Sequence, residues 1–408
     1  QLLARMMLAR RGRWQYRRLT GVIGCPTLRR DLSVLDRDGY DERTGLLLVG
    51  APQMPEIPDH PTHGDAERAY RLLADLLSGF PFASAVDTAA GVSALMTPVL
   101  RPMLCRAPLH LVTAPVAGTG KSLLVDVAAG IATGRRAPVV AAPGTDQVSE
   151  ELDKRLCSCL LEGRQLIVLD NLNGSIRSDL LSQILTQSPI QVRKLGSNFQ
   201  PEVDSVATVF ATGNNVTVSG DLLRRTIRIR LDARCERPEL REFDFDPFGR
   251  VLEHRGQYVA AVLTLALAYA RDGLPGRPTP LASFERWSDL VRGAIRWVTG
   301  VDPLDTMIDA RAEDPDLEAT GAVFAAWYDL LGSEPVAVRD LVEAALPRAA
   351  TPLRDALLVV AGKSGEIDQK RLAYWLRGRK GRIVNGLHLT DAGFDKHKGV
   401  RWYSVRKD

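Results

Sequence analysis

The chain has 408 residues, of which 45% are hydrophobic and 25% are charged, and its formal net charge is +4. This composition is typical of a folded protein with two or three domains and excludes a low-complexity chain. The longest apolar run, residues 258–270, is too short to span a bilayer, and the Arg-rich start lacks an apolar signal-peptide core. The five cysteines show no metal-ligand spacing. We therefore expect a cytoplasmic protein in a reducing setting, with no membrane partner.

The net charge hides an asymmetry along the chain. Residues 1–34 contain eight Arg and one Asp, and residues 363–408 contain twelve Lys or Arg and five Asp or Glu, so each segment carries +7. The middle of the chain therefore carries 4 − 14 = −10. Clustered cations at both ends favour a polyanion such as nucleic acid as partner. The alternative is a pair of solvated basic tails.

The first hundred residues predict two structural segments. Residues 1–55 have the pattern of an irregular β-rich module, and the four prolines between positions 51 and 63 indicate a linker. Within 56–104, helices are predicted at about 65–79 and 84–104, as a helical collar that leads into the next segment.

A phosphate-binding loop is predicted within residues 111–124, where a short apolar strand precedes a glycine-bearing loop and a helix. In such a loop the backbone N–H groups cradle phosphates, while Lys121 reaches the terminal phosphates and the Ser122 hydroxyl ligates Mg²⁺. Gly118 and Gly120 stand where the backbone must approach the ligand. The residues expected to contact the nucleotide are Ala117, Gly118, Thr119, Gly120, Lys121, Ser122 and Leu123.

The loop departs from the usual pattern at one position. Pro115 occupies the place of the first glycine, and proline offers no N–H to a phosphate. That position mainly sets the turn after the strand, so little phosphate contact is lost. The alternative interpretation is an ordinary glycine-rich turn between a strand and a helix.

An acid for the metal is predicted at the end of the next apolar strand. Residues 165–171 contain four consecutive apolar residues followed by Asp170, a pattern that suits a strand buried on both faces of a parallel sheet. Ligands bind at the carboxyl ends of strands in such sheets, so Asp170 is the predicted metal ligand beside Ser122.

Residues 190–203 predict a β-hairpin, because a turn signal separates two strand-like arms. Arg193 and Lys194 could contact phosphates there, and Phe199 could stack on a base. The alternative is an ordinary surface hairpin.

A polar amide and two arginines complete the predicted site. The β-branched strand in residues 205–215 ends near Asn214, which could position the attacking water. Residues 220–225 then place Arg224 and Arg225 ahead of a fourth strand at 226–232. A guanidinium at this point could neutralise charge on the γ-phosphate, and the alternative is a solvated pair.

The rest of the chain predicts two further segments after the core at 105–245. Residues 246–348 are expected to form a helical domain, in which Phe284, Trp287, Val291 and Trp297 follow helical spacing and indicate a core. Residues 349–408 are expected to form a basic winged-helix-like domain, with a basic helix at 370–382.

The order of these motifs resembles that of superfamily 3 helicases and their AAA+ relatives, in particular the helicase module of phage-type and poxvirus-like primase-helicases. The resemblance covers about residues 105–232 and rests on the segments 118–122, 169–171, 211–215 and 221–225. It implies ATP and Mg²⁺ as ligands, with Lys121 and Ser122 on the phosphates, Asp170 at the metal and Asn214 as sensor. It also implies that Arg224 or Arg225 acts as a finger on a neighbour's ATP within a ring, most often a hexamer. The hairpin would point into the ring pore and grip single-stranded DNA.

Asn171 departs from many AAA+ proteins, which carry a glutamate at this position as the base for water. An amide cannot accept that proton, although it can orient water, so Asn171 is kept among the predicted catalytic residues. Glu150, Glu151 and Glu162 are candidate substitutes for the base, and each is otherwise a surface acid.

These patterns predict an α/β fold with a P-loop parallel-sheet core, helices on both faces, helical flanks and a winged-helix-like C-terminal domain. The leading hypothesis is an ATP-dependent DNA helicase of a phage or mobile-element primase-helicase, acting on single-stranded or forked DNA. No primase constellation occurs in these residues, so priming would come from a segment ahead of Gln1 or from a partner. The alternatives are an ATP-gated initiator or loader with slow hydrolysis and a small-molecule kinase.

Overall fold

The computed structural model describes residues 2–9, 15–141, 148–176, 178–192, 200–218, 220–241, 244–308, 315–346, 351–395 and 400–407. The chain folds into two compact units, Gln1–Ile308 and Asp309–Asp408. Each unit has its own cluster of buried apolar side chains, so each has a hydrophobic core of its own.

The N-terminal segment contains one helix and five very short strands: α1 Leu2–Ala9, β1 Gly21–Ile23, β2 Thr27–Leu28, β3 Val34–Leu35, β4 Gly39–Asp41 and β5 Leu46–Leu48. Strands β1, β5 and β4 form one small sheet, and β2 pairs with β3. Part of the segment is buried in the core of the first unit, because Cys25 and Leu28 belong to that core cluster.

Two helices follow where the sequence predicts a collar, α2 His63–Leu76 and α3 Ala85–Leu100. Helix α2 begins at a capping box in which Thr62 and Asp65 satisfy each other's backbone N–H groups. The Ser84 side chain caps α3 in the same position, and thirteen of the sixteen residues of α3 are buried. Helix α3 is therefore a core helix of the first unit.

A five-stranded sheet forms the centre of the first unit. Its strands are β6 Leu109–Ala114, β7 Val139–Ala141, β8 Leu166–Ile176, β11 Thr208–Val218 and β12 Thr226–Arg230. They lie in the order β12-β6-β11-β8-β7, and every neighbouring pair is parallel. The intervening elements are α4 Lys121–Thr133, α5 Val148–Leu161, α6 Asp179–Thr186, β9 Ile190–Gln191 and β10 Glu202–Val203. The predicted mixed α/β core with a parallel sheet is confirmed.

The two middle strands continue beyond the edge at which their neighbours end. Strand β6 ends at Ala114 and β7 ends at Ala141, which pairs with Asp170, whereas β8 and β11 remain paired as far as Ile176 and Val218. Asp170 and Asn214 were each predicted near the end of a strand, and both are corrected: Asp170 lies within β8 and Asn214 within β11. The pairing of β8 with β11 resumes after register shifts near Asn171 (φ +56°). The two strands therefore continue as a two-stranded ribbon beyond Asp170.

The remaining helices of the first unit complete its core. They are α7 Pro247–Arg271, α8 Glu285–Trp287, a π-helical turn at Ser288–Arg292 and α9 Gly293–Thr299, and short 3₁₀ turns lie at Gly220–Arg225, Pro238–Leu240 and Pro303–Asp305. Phe284, Trp287 and Val291 are fully buried and Trp297 is partly buried against the same core, as their spacing predicted. No helix among the described residues is both long and apolar enough to cross a membrane.

The second unit combines helices with a four-stranded antiparallel sheet in the order β13-β18-β17-β16. Its elements are α10 Pro315–Leu331, β13 Val336–Ala337, α11 Val338–Ala344, α12 Thr351–Ala361, β14 Gly362–Lys363, β15 Glu366–Ile367, α13 Gln369–Arg379, β16 Ile383–Val384, β17 Leu387–Asp395 and β18 Val400–Lys407. The predicted domain 246–348 does not form one body, because Trp327 of α10 is buried with Leu372 and Tyr403 in the second core.

Candidate nucleotide-binding site

The loop between β6 and α4 has the backbone that a phosphate cradle requires. Gly118 (φ +78°) and Gly120 (φ +91°) both lie in the left-handed region, which favours glycine. Gly120 is the N-cap of the 13-residue helix α4, so unpaired N–H groups and the positive end of the helix dipole face the loop. This arrangement suits a phosphate group.

Lys121, the first residue of α4, turns its side chain back over the loop. Its Nζ donates to the Val116 carbonyl at 3.0 Å and to Thr119 Oγ1 at 3.2 Å. Burial lowers the pKa of Lys121 from its usual value, and the Asp170 carboxylate partly opposes that shift. The ammonium is thus partly desolvated, which strengthens its attraction for an anion.

Two hydroxyl groups hold the carboxylate of Asp170. Ser122 Oγ donates to Asp170 Oδ1 at 3.0 Å, and Thr212 Oγ1 of the neighbouring strand β11 donates to the same oxygen. Thr212 also accepts from the backbone N–H of Asn171 at 3.2 Å. Thr212 therefore fixes the carboxylate and the backbone beside it. This role of Thr212 was not predicted; the only side chain predicted for this strand was the amide of Asn214, two residues further on.

The amides after Thr212 face the same region. Asn214 pairs with Ala114 of β6 in the sheet register, and its Oδ1 is buried with no hydrogen-bond partner in the described part of the chain. The next residue, Asn215, donates from Nδ2 to the Pro115 carbonyl at 3.3 Å and so ties the loop to β11. A buried amide oxygen without a donor is a binding position for a water or ligand N–H or O–H group.

These side chains surround one cavity of about 390 Å³, which is within the size range of small-molecule sites. Its lining consists of Ala117, Gly118, Thr119, Gly120, Lys121, Ser122, Leu123, Asp170, Asn171, Thr212 and Asn214. The structure thus brings together all the residues predicted for the nucleotide and metal, together with Asn171 and Asn214. Glu150, Glu151 and Glu162 are not among the lining residues.

The 3₁₀ turn at Pro238–Leu240 packs against the outside of the loop. A Cβ built on Gly118 would lie 2.9 Å from both the Cβ and the backbone N of Glu239. Because backbone atoms cannot move as a side-chain end can, this contact and the positive φ together require glycine at position 118. The turn therefore contacts the loop directly at Gly118.

The neighbouring arginines at the end of the 3₁₀ turn Gly220–Arg225 have different surroundings. The Arg225 side chain is 14% exposed, forms an ion pair with Asp221, and donates to the Ser182 carbonyl and to Thr186 Oγ1 of α6. The Arg224 side chain is 59% exposed and contacts Asp221 alone among the described residues. Arg225 is thus part of the packing of the first unit, and Arg224 faces solvent.

The predicted DNA-contacting residues Arg193, Lys194 and Phe199 lie outside the described residues. The arms that flank them are described, and β9 pairs with β10 in antiparallel register, Gln191 opposite Glu202.

The oxygen atoms at the cavity fit a magnesium ion. Ser122 Oγ and Asp170 Oδ1 are 3.0 Å apart, and adjacent ligands of octahedral Mg²⁺ at about 2.1 Å from the ion are also about 3.0 Å apart. The described residues contain no group of three or more His, Cys, Asp or Glu that could hold a metal. A single carboxylate and a hydroxyl suit Mg²⁺ that is shared with substrate phosphates, which is how proteins usually bind this ion.

No protein-family model matches the chain, and no curated protein sequence is significantly similar to it. Among solved structures, two apo structures of the NrS-1 C-terminal region are similar to this chain. The first has 12% sequence identity and a TM-score of 0.38, and the match covers 87% of this chain and 76% of that one. The second has 11% sequence identity and a TM-score of 0.39, and the match covers 93% of this chain and 84% of that one. A structure of JCV helicase is similar at 14% identity and TM-score 0.25, over 62% of this chain and 74% of that one. Because these identities and TM-scores are low, the functional assignment rests on the residues of this chain and not on the similar structures.

Proposed function

We propose that this chain is an ATP-dependent DNA helicase or translocase, the helicase part of a primase-helicase of a phage or mobile element. The observation that carries the proposal is the convergence of Lys121, Ser122, Asp170 and Asn214 on one cavity at the end of α4. A cationic side chain, a helix N-terminus and a Mg²⁺-compatible oxygen pair are what a nucleoside triphosphate requires at its phosphates.

Each residue has a distinct task in hydrolysis. The loop N–H groups and Lys121 hold the β- and γ-phosphates, and Asp170 with Ser122 would hold Mg²⁺. That ion would supply positive charge to the phosphate oxygens. Asn214 Oδ1 accepts a hydrogen bond from water and orients its oxygen toward the γ-phosphorus. The new P–O bond forms as the bond to the β–γ bridging oxygen breaks, which leaves ADP and phosphate and releases the water proton to solvent or to the phosphate.

Arg224 is the proposed arginine finger. An exposed guanidinium can reach a neighbouring subunit, whereas Arg225 is held by α6. A finger in trans places ATP between subunits of a ring, and a hexamer is the expected form. The finger supplies positive charge only in the transition state, so its loss should lower turnover and leave ATP binding intact.

Single-stranded or forked DNA is the proposed partner. The basic segments 1–34 and 363–408 support a polyanionic partner, and the paired arms β9 and β10 support the hairpin whose tip would grip the strand. Priming would be supplied from a separate domain or protein, and a cytoplasmic setting remains the expectation.

Subunit mixing tests the proposal. Lys121→Ala should abolish ATP turnover, and Arg224→Ala should do the same without loss of nucleotide binding. In mixtures, an intact Arg224 from a Lys121→Ala subunit can complete the ATP site of an Arg224→Ala neighbour, so part of the DNA-stimulated activity should return. If neither mixture nor wild type hydrolyses ATP, the motor is excluded. If Arg224→Ala alone is fully active, the finger assignment fails.

A second candidate is an ATP-gated initiator or loader with slow hydrolysis. Asn171 favours it, because an amide stands where a base is expected and no glutamate lines the cavity in the described part of the chain. This candidate predicts nucleotide-dependent assembly on DNA with turnover close to the uncatalysed rate.

A further inference from the structure

Helix α13 of the second unit has a row of three exposed side chains, two of them cationic and one aromatic. Lys370, Tyr374 and Arg377 follow the spacing i, i+4, i+7 and therefore lie on one face of the helix. All three are exposed, and Tyr374 has 78% of its surface exposed. We call these three residues the α13 face.

Packing fixes which side of α13 faces solvent. Leu372, Trp375 and Leu376 are buried in the core of the second unit. The Asp368 side chain caps the first turn by accepting from the N–H groups of Lys370 and Arg371, so the helix start is fixed as well. The packing and the cap together fix the orientation of the α13 face within the second unit.

Four other cations of the second unit form ion pairs within it. Arg379 and Arg382 pair with Asp316, the latter at 2.7 Å. Lys380 and Arg401 pair with Asp391 at 2.9 and 2.8 Å. These acids hold the cations at the end of the helix and on β18 in internal contacts.

The α13 face has no such compensation. Within the described residues, Lys370 and Arg377 form no ion pair, and the Arg377 side chain donates only to the Ala373 carbonyl of its own helix. The acids nearest in sequence are Asp368, which is engaged in the cap, and Glu366 of β15. The face therefore keeps a net positive charge.

We propose that the α13 face binds duplex DNA, as a site distinct from the pore hairpin and from the nucleotide cavity. Lys370 and Arg377 are about 10 Å apart along the helix axis, since seven residues rise about 1.5 Å each. An 11-residue helix with one exposed face can lie in a major groove about 12 Å wide, with its cations toward the phosphates on either side. Tyr374, between them, is placed toward the bases or the sugar-phosphate backbone.

The chemistry of the face distinguishes between partners. A protein interface of useful affinity needs an apolar centre, and the α13 face has no aliphatic residue. Single-stranded DNA is usually bound in a groove with several stacking aromatics, whereas this face is a convex helix with one aromatic ring. Charge and shape therefore both favour a duplex.

The test is duplex binding by the full chain, measured by fluorescence anisotropy over a range of salt concentrations. Lys370→Ala/Arg377→Ala should weaken binding by roughly tenfold or more and lower the slope of log K against log salt by about 2, because two phosphate contacts are lost. Tyr374→Ala should weaken binding with little change in slope. The matched control, Arg354→Ala/Lys407→Ala, removes the same charge from exposed positions on α12 and β18 that also form no ion pair with the described residues, and it should leave the slope unchanged.

The proposal shares DNA as partner with the proposed function but is tested separately. Lys121→Ala should bind duplex as the wild type does, so a chain without ATPase activity still tests the α13 face. If the α13 double variant and the control double variant lose the same duplex affinity, the effect is one of net charge alone and the proposed site is overturned. An α13 pair that alters the mass of the assembly in light scattering, with unchanged duplex affinity, would make the face a contact between copies and also overturn it.

Discussion

The two adjacent arginines should respond in opposite ways to truncation. Arg225→Ala removes a largely buried guanidinium that donates to Ser182 and Thr186 of α6 and pairs with Asp221. Hydrogen bonds to charged groups contribute about 1.5–3 kcal/mol each, but the Ser182 carbonyl keeps a second donor, the Thr186 hydroxyl. We therefore expect the unfolding free energy of the first unit to fall by about 2–3 kcal/mol.

Arg224→Ala should have the reverse profile. Its side chain is mostly in solvent, so the unfolding free energy should change by no more than about 0.5 kcal/mol. If Arg224 is the finger, ATP turnover should fall by about 10³-fold or more, with nucleotide affinity unchanged. Turnover of Arg225→Ala should stay within a few-fold of wild type at temperatures where it remains folded.

Urea unfolding followed by far-ultraviolet circular dichroism measures the first effect, and a coupled assay of ADP release measures the second. Arg225→Lys is the matched variant, because it keeps the charge and one donor and should recover part of the lost stability. The division of roles would be refuted if Arg225→Ala were folded and stable but did not hydrolyse ATP, while Arg224→Ala remained active. Arg225 would then be the finger.

Three further predictions concern the site and the core. Thr212→Val keeps the shape of the side chain but removes the hydroxyl that holds Asp170, so Mg²⁺-dependent turnover should fall by roughly tenfold or more while the fold persists; normal Mg²⁺ dependence would contradict this role. Gly118→Ala should weaken binding of a fluorescent ATP analogue by about tenfold through the clash with Glu239 and the positive φ. Gly163→Ala, also at positive φ but with no neighbour within 4 Å, is its control and should bind normally. Burial lowers the pKa of His110 to about 3, so the unfolded chain binds a proton below pH about 6.5 that the folded chain does not. Stability should thus fall between pH 6.5 and 3, by about 2 kcal/mol at pH 5, and His110→Asn should lack this share; an identical pH dependence in both proteins would contradict it.

Local patterns predicted the elements that are built from neighbouring residues. The loop glycines were predictable because the turn into α4 requires positive φ, and the sheet because its strands are rich in apolar and β-branched residues. Asp170 was predictable as a polar residue after an apolar run. Its exact position within β8 was not, since the extension to Ile176 depends on pairing with β11, a strand about forty residues away.

The remaining features depend on contacts between distant parts of the chain. The Thr212–Asp170 hydrogen bond spans 42 positions, and a threonine in a β-branched strand carries no sign of it. Arg224 and Arg225 are identical in type and adjacent, and only the packing of α6 separates a buried side chain from an exposed one. The charge of the C-terminal segment was visible in the sequence, but which cations remain free follows from the ion pairs of Asp316 and Asp391.

The central claim is that the cavity around Lys121, Ser122 and Asp170 binds and hydrolyses ATP to act on DNA. The most direct measurement is the rate of ATP hydrolysis by the purified chain and by Lys121→Ala, each with and without single-stranded DNA. We expect Mg²⁺-dependent hydrolysis that DNA stimulates in the wild type and that disappears in Lys121→Ala. Equal hydrolysis by the two proteins would contradict the assignment of the site, and nucleotide binding without turnover would contradict the motor in favour of an ATP-gated module.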